Sequence, residues 1–168
     1  FPRFLEAELR HHDVPAGQIM LEISEELLLE SATTLRVGLD RLRDLGVGLA
    51  LDDFGTGRSS LSQAGKLLDV AEFKLDRTLI LGVDRPEGRV IVRAASDLAA
   101  GLGQRVVAEG VEQPEQRDFL IGLGIGRFQG FLYSPSVPAA RISGSLAEGT
   151  GLGGRPLAPG PTVGQPSS

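Results

Sequence analysis

Apolar stretches of strand length alternate with longer segments of helical periodicity along most of this chain. The strand-like stretches lie at residues 19–23, 47–51, 70–75, 105–108 and 127–132. Between them, segments at residues 31–45, 59–68, 86–103 and 114–122 carry apolar residues at the spacing of one helix face. Regular alternation of strands and helices predicts a parallel sheet with right-handed crossover connections.

The segment at residues 31–45 illustrates the helical pattern. Gly46 follows it directly and is the residue type that most often ends a helix. Its leucines fall on one predicted face and its charged residues on the other, which is typical of a helix that covers a sheet. The apolar face consists of Leu35, Leu39, Leu42 and Leu45; the polar face consists of Arg36, Asp40, Arg41, Arg43 and Asp44.

A polar residue stands at or near the end of every predicted strand. The five residues are separated by 30, 22, 35 and 20 positions, and each interval accommodates one strand, one helix and two loops. Parallel strands deliver their carboxyl ends to one side of the sheet, where a (β/α) barrel has its active site. A helix cap or a solvated loop charge would explain any single member, but not the set. The five are Glu22, Asp52, Lys74, Glu109 and Gln129.

Composition limits the classes of function. The 168 residues carry a formal net charge of -5 and 41% hydrophobic residues, which fits one globular domain. The acidic excess argues against a nucleic acid polymer as partner, and no apolar run is long enough to span a membrane. Residues 148–168 hold 6 Gly and 4 Pro, which predicts a disordered tail after a domain at residues 1–147.

The sequence LDDFGTG places two carboxylates and two glycines at the predicted end of the central strand. Asp52 and Asp53 close the apolar run, and Gly55 and Gly57 allow the chain to curl. Adjacent carboxylates repel each other unless a cation lies between them. The alternative is a helix-capping Asp beside a solvated one.

The acidic residues at the strand ends form an all-oxygen ligand set. Glu22, Asp52, Asp53 and Glu109 favour Mg²⁺ or Mn²⁺, and no Cys is present for a thiolate zinc site. Carboxylates from separate strands are what a two-metal site requires. Lys74 would add a fixed positive charge for phosphoryl oxygens or an attacking water. The residues therefore predict metal-assisted hydrolysis of a phosphate ester.

At these motifs the chain resembles the EAL family of bacterial enzymes, which hydrolyse the second messenger cyclic di-GMP. The matching segments are LEISE at 21–25, LDDFGTG at 51–57, FKLD at 73–76, VVAEGVE at 106–112 and FQGF at 128–131. The resemblance implies a TIM-like (β/α)₈ barrel, a cytoplasmic site, and a reaction that opens cyclic di-GMP to linear pGpG with two Mg²⁺ or Mn²⁺ ions. Whether the parent is tethered to a membrane stays open.

The resemblance also implies roles for individual residues. Glu22, Asp52 and Glu109 would be metal ligands, with Asp52 bridging and Asp53 holding the second ion beside the substrate. Lys74 would orient the nucleophilic water, and Asp76 would support the site. Glu112 and Gln129 would complete the pocket through a ligand water or the substrate. Glu25 would anchor the loop after Asp53, which contributes to homodimer contacts in this family.

The resemblance is partial. The namesake Glu-Ala-Leu motif and a strand with a metal-binding Asn are absent from this chain and would precede Phe1. A full barrel takes about 250 residues, whereas this chain has the length for five strand–helix units. We therefore expect an incomplete barrel with an open edge at residues 19–23, and a polypeptide that is a poor catalyst or inactive by itself.

Two other functions fit parts of the sequence, and a third is suggested by one tripeptide. A catalytically degenerate module would bind cyclic di-GMP or a protein partner without turnover. Another metal-dependent barrel hydrolase would act on other phosphodiesters. A protein kinase is excluded although Asp53-Phe54-Gly55 spells its magnesium motif, because the chain has no His-Arg-Asp loop and no glycine-rich nucleotide loop.

Overall fold

The computed structural model describes residues 1–24, 27, 33–55 and 70–147. The predicted helix at residues 59–68, the predicted tail at residues 148–168 and the predicted loop anchor Glu25 lie outside the described residues. Within the described part of the chain, no helix combines the length and the hydropathy that crossing a membrane requires.

The described elements follow the predicted order of strands and helices. The strands are β1 (Met20–Ser24), β2 (Gly48–Phe54), β3 (Glu72–Leu75), β4 (Arg105–Ala108) and β5 (Arg127–Phe128). The helices are α1 (Pro2–His11), α2 (Thr33–Asp44), α3 (Arg77–Leu81), α4 (Pro86–Gly101), α5 (Pro114–Gly122) and α6 (Ala139–Ala147). Short 3-10 turns span Ala16–Gln18 and Gly82–Asp84.

The five strands form one parallel sheet in the order β1-β2-β3-β4-β5. Glu22 lies beside Ala50 in the register, Ala50 beside Glu72, and Glu72 beside Arg105. Because every pair of neighbouring strands is parallel, all five carboxyl ends lie at the same edge of the sheet. The predicted parallel sheet is confirmed, and among the described strands β1 and β5 each pair with a single neighbour.

One face of the sheet carries the hydrophobic core. Side chains of a strand alternate between its two faces, so the fully buried Leu51, Phe73 and Leu75 share a face that packs against the helices. The helices contribute Ile80, Val92, Ala99 and Leu120 to the same cluster. The opposite face carries the polar residues Glu22, Asp52, Glu72 and Lys74.

The end of β2 differs from the sequence prediction. The strand was expected to stop at Leu51, yet β2 continues to Phe54 through a β-bulge in which Asp53 takes φ 56. The extra residue restores the alternation, because Phe54 returns to the apolar face and its ring lies 4.5 Å from that of Phe73. Burial of Phe54 thus favours a bulge over the glycine turn that the sequence suggested.

The last strand is shorter than predicted. The strand expected at residues 127–132 ends at Phe128, and a turn follows. Backbone hydrogen bonds explain the early end: Val111 N–H donates to Gln129 O, and Leu132 N–H donates to Val111 O. The chain after β5 is therefore held against the loop that follows β4 instead of extending the strand.

Glycines with positive φ follow three of the described helices, and the first of them is the predicted Gly46. Gly46, Gly103 and Gly124 have φ of 87, 71 and 82, and each lies one or two residues after a helix. At the start of α5, the side chain of Gln116 accepts hydrogen bonds from Glu112 N–H and Gln113 N–H at 2.9 and 3.0 Å. This cap fixes the loop that joins β4 to α5.

The contact between Gly130 and Val111 can be tested by adding one methyl group. A Cβ at Gly130 would lie 2.2 Å from the carbonyl oxygen of Val111 and 2.4 Å from its nitrogen. Because the backbone must shift to make room, we expect Gly130→Ala to destabilise the chain by about 1–3 kcal/mol in urea unfolding. In Gly126→Ala the methyl would meet no described atom within 4 Å, and the midpoint should barely change. Equal midpoints for the two variants would contradict the predicted close approach.

Candidate active site

A lysine at the carboxyl end of β3 gathers carboxylates from three other strands. Lys74 Nζ lies 2.7 Å from Glu22 Oε1, 3.4 Å from Asp52 Oδ1 and 2.5 Å from Glu109 Oε1. The Lys74 side chain is 8% exposed, whereas those of Glu22, Asp52 and Glu109 are 52%, 32% and 19% exposed. We call these four residues the Lys74 cluster. Of the five strand-end residues predicted to converge, these four meet, and Gln129 is not part of the cluster.

The parallel register explains how side chains from four strands meet. Lys74 and Glu72 share a face of β3, and the residue between Glu22 and Glu72 in the register is Ala50. Ala50 is small and 1% exposed. We infer that this small side chain leaves Lys74 room to reach across β2 to Glu22.

The charges of the cluster hold Lys74 in its ammonium form. Burial alone would lower the pKa of Lys74, but the opposing effects prevail. Hydrogen bonds to Glu109 and Glu22, and the negative charges of Glu109 and Asp52, raise its pKa above the ordinary lysine value. Lys74 therefore carries its positive charge at neutral pH.

Asp52 is only partly satisfied. Its Oδ1 is buried and, among the described residues, accepts no hydrogen bond, although it lies 3.4 Å from the Lys74 ammonium. The distance permits Coulomb attraction without hydrogen-bond geometry. A buried carboxylate oxygen without a donor is costly unless another group completes its surroundings.

The Oδ1 oxygen of Asp52 bears on whether a divalent metal ion would fit this site. The available ligand atoms suit a hard cation, because they are carboxylate oxygens. One of them, Asp52 Oδ1, accepts no hydrogen bond from the described residues. The side chains are arranged differently from a finished metal site, because in the described residues no group of three Asp, Glu, His or Cys is positioned to hold one ion. The carboxylates instead surround an ammonium group.

Backbone hydrogen bonds fix the loop that carries Glu109. Glu109 N–H donates to Leu75 O at 3.0 Å, which continues the β3–β4 ladder past the last strand residue. Gln129 N–H donates to Ala108 O at 2.9 Å on the other side. The Glu109 carboxylate therefore projects from a backbone that is tied to both neighbouring strands.

Arg77 is a residue at this edge that sequence reasoning missed. Its guanidinium donates to Glu112 Oε1 at 2.7 Å, and its side chain lies over Gly110. A Cβ at Gly110 would come within 2.2 Å of Arg77 Cγ, and Gly110 has φ 68. The sequence does contain a clue to this residue. Arg77 directly follows the FKLD segment, so its cation lies at the edge where the acidic residues meet.

The remaining predicted residues lie at the same edge in different settings. Asp76 caps α3 by accepting hydrogen bonds from the backbone N–H and the hydroxyl of Thr78. Glu112 pairs with Arg77, and the Gln129 side chain is exposed. Asp53 is exposed on the bulge of β2. The catalytic, metal and substrate roles assigned to these residues stay predictions.

The opposite end of the same face carries a second ionic cluster. Glu72 is 6% exposed, and its Oε2 lies 3.2 Å from Arg127 Nη1 and 3.6 Å from Arg105 Nε. The three residues start β3, β5 and β4, so the cluster closes the amino-terminal edge of the sheet. The amino-terminal face of a barrel is the one associated with stability, which suits an ionic cluster whose members satisfy one another.

Comparison with known proteins gives one family. The EAL domain family matches residues 1–136. The bifunctional diguanylate cyclase/cyclic di-GMP phosphodiesterase MucR of Pseudomonas aeruginosa is 38% identical over 141 residues, which make up 83% of this chain and 20% of MucR.

Solved structures agree with the sequence comparison. The EAL domain of Mycobacterium smegmatis DcpA has a TM-score of 0.81 and 35% identity, covering 89% of this chain and 67% of that chain. Klebsiella pneumoniae BlrP1 in complex with manganese and cyclic di-GMP has a TM-score of 0.72 and 33% identity, covering 79% of this chain and 34% of that chain. EAL structures are TIM-like barrels, so the predicted incomplete barrel and the family resemblance are confirmed.

The chain is short relative to the proteins that it matches. It spans 18%, 20% and 24% of the length of the first three curated relatives. The match thus concerns one part of longer proteins.

The raised pKa of Lys74 predicts how its contribution to stability depends on pH. A folded-state pKa above the unfolded value gives stability that is complete below the unfolded pKa and is lost as pH rises through the folded pKa. We expect the difference in melting temperature between the native chain and Lys74→Met to stay constant from about pH 7 to about pH 9, and to shrink only above the ordinary lysine pKa of about 10.4. Thermal unfolding followed by circular dichroism measures it. A difference that fell steadily between those two pH values would contradict the assignment.

Proposed function

The chain belongs to the EAL domain family, and from this premise we propose that its Lys74 cluster serves the metal-dependent hydrolysis of cyclic di-GMP to linear pGpG. The observation that carries the proposal is the convergence of Glu22, Asp52 and Glu109 on Lys74 from four parallel strands. These are the residues that both the strand-end pattern and the family motifs single out.

Glu22, Asp52, Asp53 and Glu109 would hold the Mg²⁺ or Mn²⁺ ions, and Asp52 would be the ligand that two ions share. When bound, a divalent ion would supply Lewis acidity toward a phosphate oxygen and would lower the pKa of a water. Support comes from the oxygen of Asp52 that lacks a donor among the described residues, and from the manganese in the BlrP1 complex.

The chain's own side chains have separate tasks in the proposed reaction. The Lys74 ammonium stabilises negative charge that develops on the phosphoryl oxygens, or orients the attacking water. Glu112 and Gln129 contact the substrate or a ligand water from the edge formed after β4 and β5, and Asp53 does so from the bulge of β2. Asp76 supports Lys74 indirectly, since its cap of α3 fixes the backbone that leaves β3.

We also propose a ligand, an assembly, a cellular location and an end for the domain. Cyclic di-GMP is the proposed ligand, and a homodimer through the loop after Asp53, with Glu25 as its anchor, is the proposed assembly. The cytoplasm is the proposed location, because cyclic di-GMP is an intracellular messenger. The domain is proposed to end near residue 147.

A second function stays in competition. The chain holds no Glu-Ala-Leu tripeptide, and its described sheet has five strands where a closed barrel has eight. What favours a module that binds cyclic di-GMP or a protein partner without turnover is that, among the described residues, no group of three Asp, Glu, His or Cys is positioned to hold one metal ion. The intact Lys74 cluster favours the hydrolase, because a binding module has no chemical need for three carboxylates around a lysine.

The isolated polypeptide of 168 residues discriminates between these functions. We expect little or no pGpG from cyclic di-GMP with Mg²⁺ or Mn²⁺, since the family's remaining metal ligands are absent from this sequence. Chromatographic quantification of pGpG is the measurement. Turnover at a rate typical of enzymes, about 1 s⁻¹ or more, would refute this expectation. Tight binding of cyclic di-GMP without any metal would instead favour the binding module.

A metal-binding measurement tests whether Asp52 is a metal ligand. We expect Asp52→Asn to weaken Mn²⁺ binding by at least about tenfold, because it removes one negative charge and one ligand oxygen. Mn²⁺ binding is followed by electron paramagnetic resonance of the free ion. The matched control is Asp97→Asn, which removes an exposed carboxylate from α4. If both variants bound Mn²⁺ like the native chain, Asp52 would not be a metal ligand.

A further inference from the structure

We propose that Lys74 is an internal counter-cation, which holds the carboxylates together without metal and which a divalent ion must displace in order to bind. The inference rests on the proposed metal dependence and adds a competition within the same site. Its basis is that a single ammonium group occupies the place among Glu22, Asp52 and Glu109 where a bound cation would be expected.

Charge balance explains why the metal-free chain needs this ammonium. Three carboxylates within reach of one another repel strongly when partly shielded from water. Lys74 neutralises one of the three negative charges and leaves two in excess. Removing Lys74 would leave the carboxylates facing each other with no positive group among the described contacts of the cluster.

The second ionic cluster shows the opposite balance. Glu72 has two arginine partners, Arg105 and Arg127, so positive charge is in excess there. A cation has no reason to enter that cluster. Of the two ionic clusters, the Lys74 cluster is therefore the acidic one. It lacks positive charge, which a divalent ion would supply.

The distances make simultaneous occupancy by Lys74 and a metal ion unfavourable. A divalent ion binds carboxylate oxygens at about 2.0–2.6 Å. The Lys74 ammonium already lies 2.7 Å from Glu22 Oε1 and 2.5 Å from Glu109 Oε1. An ion on the same oxygens would face a positive charge at a few ångströms, so Lys74 has to give up these two contacts.

Asp52 indicates where the exchange would begin. Its Oδ1 accepts no hydrogen bond among the described residues and is the member of the cluster farthest from Lys74 Nζ. That oxygen is available to a cation before any hydrogen bond of Lys74 is broken. Once released, the ammonium becomes free for a phosphate group, so metal loading and the availability of Lys74 for substrate are coupled.

The first arm of the test measures metal affinity. We expect Lys74→Met to bind Mn²⁺ at least about tenfold more tightly than the native chain, because no ammonium competes. In chelator, Lys74→Met should melt several degrees below the native chain, and Mn²⁺ should recover more of the melting temperature than it does for the native chain. Arg127→Met, which removes a cation from the second ionic cluster, should leave Mn²⁺ affinity unchanged. Unchanged or weaker Mn²⁺ binding by Lys74→Met would overturn the proposal.

The second arm observes Lys74 directly and does not require Lys74→Met to fold. The chain has two lysines, Lys66 and Lys74, so Lys66→Arg leaves Lys74 as the one lysine. With ¹³C at the ε-carbon, its single NMR signal should shift as Mg²⁺ is added and should saturate at the concentration at which calorimetry shows Mg²⁺ binding to saturate. A signal that stays in place at saturating Mg²⁺ would overturn the proposal.

The two arms separate this inference from the proposed function. If the native chain binds Mn²⁺ but Lys74→Met binds no more tightly and the Lys74 signal does not move, the competition fails and the metal-dependent hydrolase stands. If neither chain binds Mn²⁺ or Mg²⁺, the proposed metal dependence fails and the competition fails with it. Destabilisation of Lys74→Met in chelator would then show that Lys74 neutralises the carboxylates for stability alone.

Discussion

The attraction between the Lys74 ammonium and three carboxylates depends on one feature of the backbone, which is that all strands run in the same direction. Glu22 and Glu109 are separated by 87 positions in the sequence, yet both lie within 2.7 Å of Lys74 Nζ. Parallel strands with consecutive pairing bring their carboxyl ends to one edge, and no local structure could do so. The hydrophobic face of the sheet maintains this alignment, since Leu51, Phe73 and Leu75 are fully buried against the helices.

The polar face of the sheet separates two kinds of ionic interaction. At the amino-terminal edge, two arginines surround the buried Glu72, and the ions satisfy each other without need of a ligand. At the carboxyl-terminal edge, carboxylates outnumber the single lysine, and Asp52 retains an oxygen without a donor in the described part of the chain. Two residues of the same strand, Glu72 and Lys74, therefore anchor clusters of opposite net charge. The charges balance more closely at the amino-terminal edge, whereas negative charge is in excess at the carboxyl-terminal edge, where we propose that a cation binds.

The five strands, three of the described helices that cover the sheet and the main members of the site were predictable from the sequence, whereas helices α3 and α6 and the local irregularities were not. Short apolar runs predict each strand, and the strand ends predict that Glu22, Asp52 and Glu109 meet at Lys74. The bulge at Asp53 cannot be seen in the alternation of side chains along a strand, because it depends on the packing of Phe54 against Phe73 on the neighbouring strand. The pair of Arg77 and Glu112 joins the start of α3 to the loop after β4, 35 residues further along the chain, and the Arg77 side chain packs over Gly110 to reach it. The early end of β5 likewise depends on Val111, which belongs to another loop.

The choice of lysine at position 74 follows from the same geometry. An ammonium group is compact and has three donors that rotate freely about the end of a flexible chain, whereas a guanidinium is planar and suits two oxygens of one carboxylate. Three carboxylates that approach from β1, β2 and the end of β4 present oxygens in different directions, which an ammonium can meet and a planar fork cannot. The same compactness makes its contacts exchangeable, since leaving the cluster requires rotation of one side chain and no movement of the strands. A group that can both fill the acidic cluster and withdraw from it is what the proposed exchange with a divalent cation requires.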